Sequence, residues 1–257
     1  MDRATRERRE PRRVLSVLAT IGLVTAMLAV LAPGADAVVN TCKARNLSKD
    51  TPVDTNLQRV IKAASSGDTI AVKYVCVGNF TIAKTLTLQG RATTGMAKAV
   101  LNANGAGRPL QVVMARVRLI NLKVTGGLKN DGGGIYNDAG TVTLKDTVVR
   151  GNTASNDGGG IYNYAGTVTL KGSSSVSGNT ADQRGGGIFS YAGTVALKNS
   201  SSVSGNTASQ QGGGIFNTFA TAVVGCDATG VDEWIGTVEP NTPNDFLDSD
   251  VTLITCT

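Results

Sequence analysis

The chain of 257 residues contains no histidine. Its four cysteines, Cys42, Cys76, Cys226 and Cys256, include no C-x-x-C pair. The thiolate and imidazole sets that hold structural or catalytic zinc are therefore missing. No basic run is interleaved with aromatic residues, and the excess of 25 basic over 19 acidic side chains is modest. Residues 1–37 carry six of those arginines and four of the acids, so the remainder has 19 against 15, a net charge of +4. A charge that small does not leave the footprint of a nucleic-acid-binding protein. Good helix-forming segments are also scarce in the middle of the chain. Each unit of its repeat holds about five glycines, each costing roughly 1 kcal/mol inside a helix, which argues against a helical solenoid.

What is present is a repeat. Gly132-Gly133-Gly134-Ile135-Tyr136-Asn137 returns at 158–163, 185–190 and 212–217, the starting glycines stepping by 26, 27 and 27 residues. Ala139-Gly140-Thr141-Val142-Thr143-Leu144-Lys145 and Val149-Arg150-Gly151-Asn152-Thr153-Ala154 also return. A fixed period of this size denotes stacked structural units. Thr141 to Lys145 alternates with period two, so Val142 and Leu144 face inward while Thr141, Thr143 and Lys145 face out. Three such segments, near Ile135, Val142 and Val148, alternate with glycine or asparagine corners. Three strands and three corners make one coil of a parallel β-helix, with coils stacked about 4.8 Å apart. The triple glycine suits a corner needing positive φ or close backbone approach. Stacking places Asn152, Asn179 and Asn206 in one asparagine ladder. Asn137, Asn163 and Asn217 form a second, interrupted by Ser190. Both are expected to be structural.

These residues resemble a known family. Gly133-Gly134-Ile135 and Val149-Arg150-Gly151-Asn152 stand where the polymorphic outer membrane protein repeat of chlamydial surface proteins has its Gly-Gly-(Ala/Ile)-Ile and Phe-x-x-Asn elements. A third glycine and a valine for phenylalanine are the departures. The wider resemblance is to the right-handed parallel β-helix, pectin-lyase-like superfamily. It implies an all-β solenoid, here of about eight coils with a short N-terminal capping helix. The close match spans 132–217.

The chain ends read differently. Six arginines up to Arg13, an apolar stretch from Val14 to Leu31 and Ala35-Asp36-Ala37 describe a signal peptide over 1–37, followed by a β-helix domain over 38–257. Export favours oxidised cysteines, and three pairings can form. Local pairing, Cys42 with Cys76 and Cys226 with Cys256, suits a rod whose ends lie far apart. Residues 56–66 read as a helix capped by Asn56 that covers the open N-terminal end of the core, with Leu57, Val60, Ile61 and Ala64 on one face. Residues 218–257, with Glu239, Pro240, Asp245, Asp248 and Asp250, read as a C-terminal cap.

Two rows of side chains carry any chemistry. Asp131, Asp157, Arg184 and Gln211 precede the four triple glycines and share a corner. Two carboxylates there beside an arginine could hold Ca²⁺, or Arg184 could simply offset Asp157. The resemblance raises a polysaccharide lyase as an alternative, but the clustered acids of lyases and the histidine of the related hydrolases have no counterpart. Lys145, Lys171 and Lys198 form an outward stripe that could bind an acidic polymer, or be only a solvated face. The reading is a secreted, extracellular, monomeric β-helix, leaning non-catalytic. It has no cofactor, no nucleic acid, no membrane contact after signal cleavage, and cell-wall or matrix polysaccharide or a surface protein as partner. N-terminal sequencing of exported protein should find Val38 as the first residue; an intact Met1 overturns the signal assignment.

Overall fold

The computed structural model of the chain describes residues 39–219, together with the backbone of the strands Thr221–Val224, Thr237–Val238 and Phe246–Leu247. Almost every regular element is a strand. In the repeat the first strand of a coil is Ile135–Asp138, the second Thr141–Lys145 and the third Val148–Arg150. A two-residue strand, Thr153–Ala154, follows before the next triple glycine. Each coil thus has four sides, where the periodicity predicts three. The fourth side is too short to show alternation in the sequence, which is why pattern reading merged it with a corner.

The sides stack into sheets. The isoleucine sheet runs parallel from Phe80–Ile82 through Leu110–Val113 and the four repeat strands to Phe246–Leu247. The threonine sheet runs from Thr69–Lys73 and Leu86–Gly90 through Arg116–Ile120 to Thr221–Val224. The valine sheet runs from Val75–Val77 to Thr237–Val238. Among the described residues, each of these three contains seven parallel strands, hence six steps from coil to coil, slightly fewer than the eight coils expected. Val142 pairs with Val117 and Val168, and Leu144 with Leu119 and Leu170. The irregular early coil therefore shares the Val-x-Leu register of the repeat.

Register turns sequence identity into core. Ile135, Ile161, Ile188 and Ile215 stack inside, with Val142, Val168 and Val195, Leu144, Leu170 and Leu197, and Val149, Val176 and Val203, all essentially without solvent access. Fully burying one such side chain is worth about 1.5–3 kcal/mol. Ala154, Ala181 and Ala208 form a separate small cluster under the fourth side. At the N-terminal end the helix Leu57–Ala63, shorter than 56–66, is capped by Asn56, whose Oδ1 accepts from the Arg59 amide at 3.0 Å. Leu57, Val60, Ile61 and Ala64 join the core. Gln58 bonds both the N–H and the carbonyl of Thr81, so the edge of the first isoleucine-sheet strand is not left open. Lys43–Asn46 pairs antiparallel with Thr69–Lys73 at the same end, and the disulfide Cys42–Cys76 ties it down. Cys226 and Cys256 lie outside the described residues, as does the rest of the cap over 225–236 and most of 239–257.

Every side ends in a left-handed residue. Ala139, Ala165, Ala192 and Phe219 hold φ near +50° at the first corner. Asn121, Asp146, Gly172 and Asn199 hold the second, and glycines such as Gly151 and Gly158 the third and fourth. The one-residue difference between the 26- and 27-residue units falls at the second corner. Lys145 pairs with Lys171, yet Val148 pairs with Ser175. The inserted residue, Ser173, is held by Asp146 Oδ1, which accepts from its amide at 3.0 Å and its hydroxyl at 3.1 Å. These bonds, led by the amide, hold the Asp146 carboxyl below its usual range.

Three buried polar ladders cross the coils. Asn152 donates Nδ2 to Asn179 Oδ1 at 3.0 Å, and Asn179 to Asn206 Oδ1 at 2.9 Å. Each also donates to the carbonyl of a preceding coil, Val124, Val149 or Val176. Asn137 donates to Gly140 O at 2.9 Å and Asn163 Oδ1 at 2.7 Å; Asn163 donates to Gly166 O and Ser190 Oγ, both at 3.0 Å. This second ladder braces the alanine corner it spans. Asn137 Oδ1 has no hydrogen-bond partner, because its register mate in the preceding coil is Val112. Asn217 occupies the corresponding buried place in its coil. The third row, Thr147, Ser174 and Ser201, is bonded only through its first two members, since Ser201 Oγ has no hydrogen-bond partner among the described residues. Thr147 Oγ1 accepts from the Leu122 amide, and Ser174 Oγ accepts from the Thr147 amide.

Two consequences are measurable. An added Cβ at Gly159 would lie 2.3 Å from Thr180 O and 2.5 Å from Gly186 O, whereas at Gly205, φ +60°, nothing lies within 4 Å. Gly159→Ala should destabilise by roughly 3 kcal/mol or more, and Gly205→Ala by only about 1 kcal/mol, for its backbone strain; urea unfolding giving equal losses would reject the close-approach account. Asn179→Ala should cost roughly 1–3 kcal/mol by orphaning buried groups above and below it. Lys171→Ala, at an outward position, should stay within about 0.5 kcal/mol. Equal urea midpoints for these two variants would sink the ladder's role.

Candidate functional site

Charge is distributed unevenly over the sides of the solenoid. The eight strands of the threonine sheet, Lys43–Asn46 included, contain Lys43, Arg45, Lys73, Arg116, Arg118, Lys145 and Lys171, and not one Asp or Glu. Arg91 and Lys198 directly follow two of them. The strands of the isoleucine sheet from Phe80 to Thr218 carry Asp138 and no cation. Those of the valine sheet carry Lys123 and Arg150. The cations of the threonine sheet occupy the alternate, outward positions of their strands, the inward ones being Val, Leu, Ile, Ala and, in the first strand, Asn46.

Register brings these cations into rows. Lys145 pairs directly with Lys171, and Lys198, next after Leu197, donates its amide to Leu170 O. Arg116 and Arg118 pair with Thr141 and Thr143, so they continue the two threonine rows toward the N-terminal end. Lys43 pairs with Lys73. The lysine row itself stops at Ile120, the partner of Lys145 in the preceding coil. Sequence reading found the three lysines and missed the two arginines. The signal was available: once Val117 and Leu119 are matched to Val142 and Leu144, parity puts Arg116 and Arg118 on the outer face.

The acidic corner is different in kind. Asp157 is buried, and both its oxygens are engaged by Arg184, Nε to Oδ1 at 3.0 Å and Nη2 to Oδ2 at 2.7 Å. That pair holds the Arg184 guanidinium more firmly protonated than usual. Asp131 stacks below, its Oδ1 3.4 Å from the Asp157 amide. Among the described residues, no three His, Cys, Asp or Glu side chains converge in a way that could hold a metal ion.

Beside this corner runs an aromatic ladder that sequence reading passed over, although its residues follow each Gly-Gly-Gly-Ile. Tyr136 and Tyr162 stack at 5.0 Å, Tyr162 and Phe189 at 4.9 Å, Phe189 and Phe216 at 5.6 Å. Arg108 lies 4.6 Å from the Tyr136 ring centre and Arg184 4.9 Å from that of Phe189, contacts worth about 0.5–2 kcal/mol. Burial pushes the Tyr162 hydroxyl up to about 12. Stacked rings cover one another's faces, so this column presents ring edges and serves cohesion between coils.

Segments 146–164 and 200–218 match the model of the Chlamydia polymorphic membrane protein repeat. No curated protein and no solved structure matches the chain. No helix among the described residues is long and apolar enough to cross a membrane, and a repeat of this type is consistent with an extracellular or surface location. Stacked parallel coils and these two matches together make the chain a parallel β-helix repeat protein whose coils resemble the polymorphic membrane protein repeat.

Proposed function

We propose that the protein is a non-catalytic module of the cell surface or extracellular space that binds an extended polyanion, an acidic polysaccharide of wall or matrix, along its threonine sheet. The observation that carries this reading is the seven basic and no acidic residues on the strands of that sheet. Rows of like charge about 4.8 Å apart repel one another, and an anionic chain lying across the strands relieves that repulsion. Lys145, Lys171 and Lys198 supply point charges. Arg116 and Arg118 add planar donors suited to bidentate contact with carboxylate or sulfate.

The alternative, a polysaccharide lyase, would draw on Asp131 and Asp157. The bidentate pair with Arg184 already occupies Asp157, and that favours the binding reading.

Exposed charge–charge contacts are screened over about 10 Å at 0.1 M salt, so binding should weaken steeply as salt rises. Lys145→Gln, Lys171→Gln and Lys198→Gln together should lower affinity for polygalacturonate at least tenfold at low salt, with an unchanged melting temperature. Asp131→Asn should bind as well as the parent. A triple-Gln protein that binds like the parent makes the lysine row a solvated face only.

A further inference from the structure

At the N-terminal end of the threonine sheet lies an open groove of about 580 Å³. Lys43, Arg45, Lys73 and Arg91 line its walls, and Ala71 and Val53 are among its apolar lining. Its construction follows from the pairing at that end. Lys43 on the antiparallel strand stands opposite Lys73, and Arg45 opposite Ala71. Arg91 extends the next strand, its amide donating to Val72 O at 2.8 Å. Three cations therefore sit side by side on three adjacent strands, an arrangement that by itself destabilises a sheet. Among the described residues, none of these three has an ion-pair partner. Within the group only Arg45 is paired, with Asp50 at 2.6 Å, and Lys43 lies 5.5 Å from the ring centre of Tyr74.

We propose that this groove is a binding site for an acidic saccharide unit, the end of the polymer that lies along the same sheet. This deepens the reading above and rests on it for the saccharide class. The charge cluster selects an anion, and Arg91 offers the two parallel N–H groups that a carboxylate or sulfate accepts. The volume falls in the range of small-molecule sites and exceeds what a bare inorganic anion fills. Val53, 57 % exposed, supplies an apolar surface against which the C–H face of a sugar ring can pack, over a floor that includes the nearly buried Ala71. The cations at the rim hold the acid group, and the ring covers the apolar patch between them. Lys73 and Arg91 are the residues expected to carry the anion, since neither has an ion-pair partner among the described residues.

The test uses a trimer of galacturonic acid, a neutral galactose trimer and sodium sulfate, titrated into the protein at low salt and followed by calorimetry. The acidic trimer should bind and the neutral one should not. Lys73→Gln with Arg91→Gln should weaken trimer binding at least tenfold, with melting temperature unchanged, while long polygalacturonate still binds within a few-fold through the remaining rows. Equal trimer affinity in parent and variant, or equal binding of the neutral trimer, overturns the site. Sulfate that displaces the trimer at the trimer's own concentration overturns the saccharide assignment. Binding of the polymer without binding of the trimer defeats the groove alone. Binding of the trimer without the polymer defeats the polymer reading and leaves the groove.

Discussion

In-register hydrogen bonding between successive coils is the interaction on which the structure depends. Because the sequence repeats every 26 or 27 residues, each position in the middle of the chain meets its own counterpart above and below. Backbone bonds then run from coil to coil, and side chains that can bond to themselves do so as well. Asparagine is the natural choice, having one donor group and one acceptor that point both ways along the stack. The Asn152, Asn179 and Asn206 column uses that property and adds a backbone carbonyl from the coil before. Such groups are buried to within a few per cent of full exclusion, where an unpaired amide costs about 1–3 kcal/mol. A displaced coil would leave many of them unmade at once, so the ladders fix register as well as adding cohesion.

Turning four corners in so few residues requires left-handed backbone at each of them. Glycine, asparagine or aspartate takes that conformation readily at three of the four, and the first corner uses alanine, or Phe219 in the last repeat, instead. The second asparagine ladder explains how that is tolerated. Asn137 and Asn163 each reach three residues ahead to the glycine carbonyl just beyond the alanine, and fasten the corner to the next coil in the same contact. Strain at Ala139 and Ala165 is thereby matched to a brace that exists only in the stacked state. The triple glycine has a divided role. Gly158 supplies positive φ, whereas Gly159 and Gly160 keep normal φ and are needed because neighbouring backbone oxygens approach too closely for a side chain.

Much of this was legible in the sequence, for a specific reason. Period-two alternation in Thr141 to Lys145 and exact recurrence fix both the inward face and the partner of each residue, so the isoleucine, valine and leucine stacks and the first asparagine ladder could be read off before any coordinates. The fourth side could not, since Thr153–Ala154 is too short to alternate. Nor could the hydroxyl ladder, since Thr147, Ser174 and Ser201 sit at the corner where the units differ in length and simple alignment slips by one. Arg116 and Arg118 were obscured by a different cause. They belong to a coil that lacks the repeat motif, so their outward parity emerges only once Val117 and Leu119 are matched to Val142 and Leu144, the register in which they pair with Thr141 and Thr143. The opposed strands Lys43–Asn46 and Thr69–Lys73, which bring Lys43 to Lys73, have no periodic signature at all.

The near-identity of the central coils also means that they are interchangeable modules. A unit ending at Lys198 meets its neighbours much as one ending at Lys171 does, with Asn179, Ile188 and Leu197 stacked on Asn152, Ile161 and Leu170. Inserting or deleting one such unit would keep the first asparagine ladder and the isoleucine and leucine stacks continuous and leave the N-terminal helix untouched. It would lengthen or shorten the basic face by one lysine. The length of the basic face can thus be varied in steps of a single coil, without any change in how the remaining coils fold.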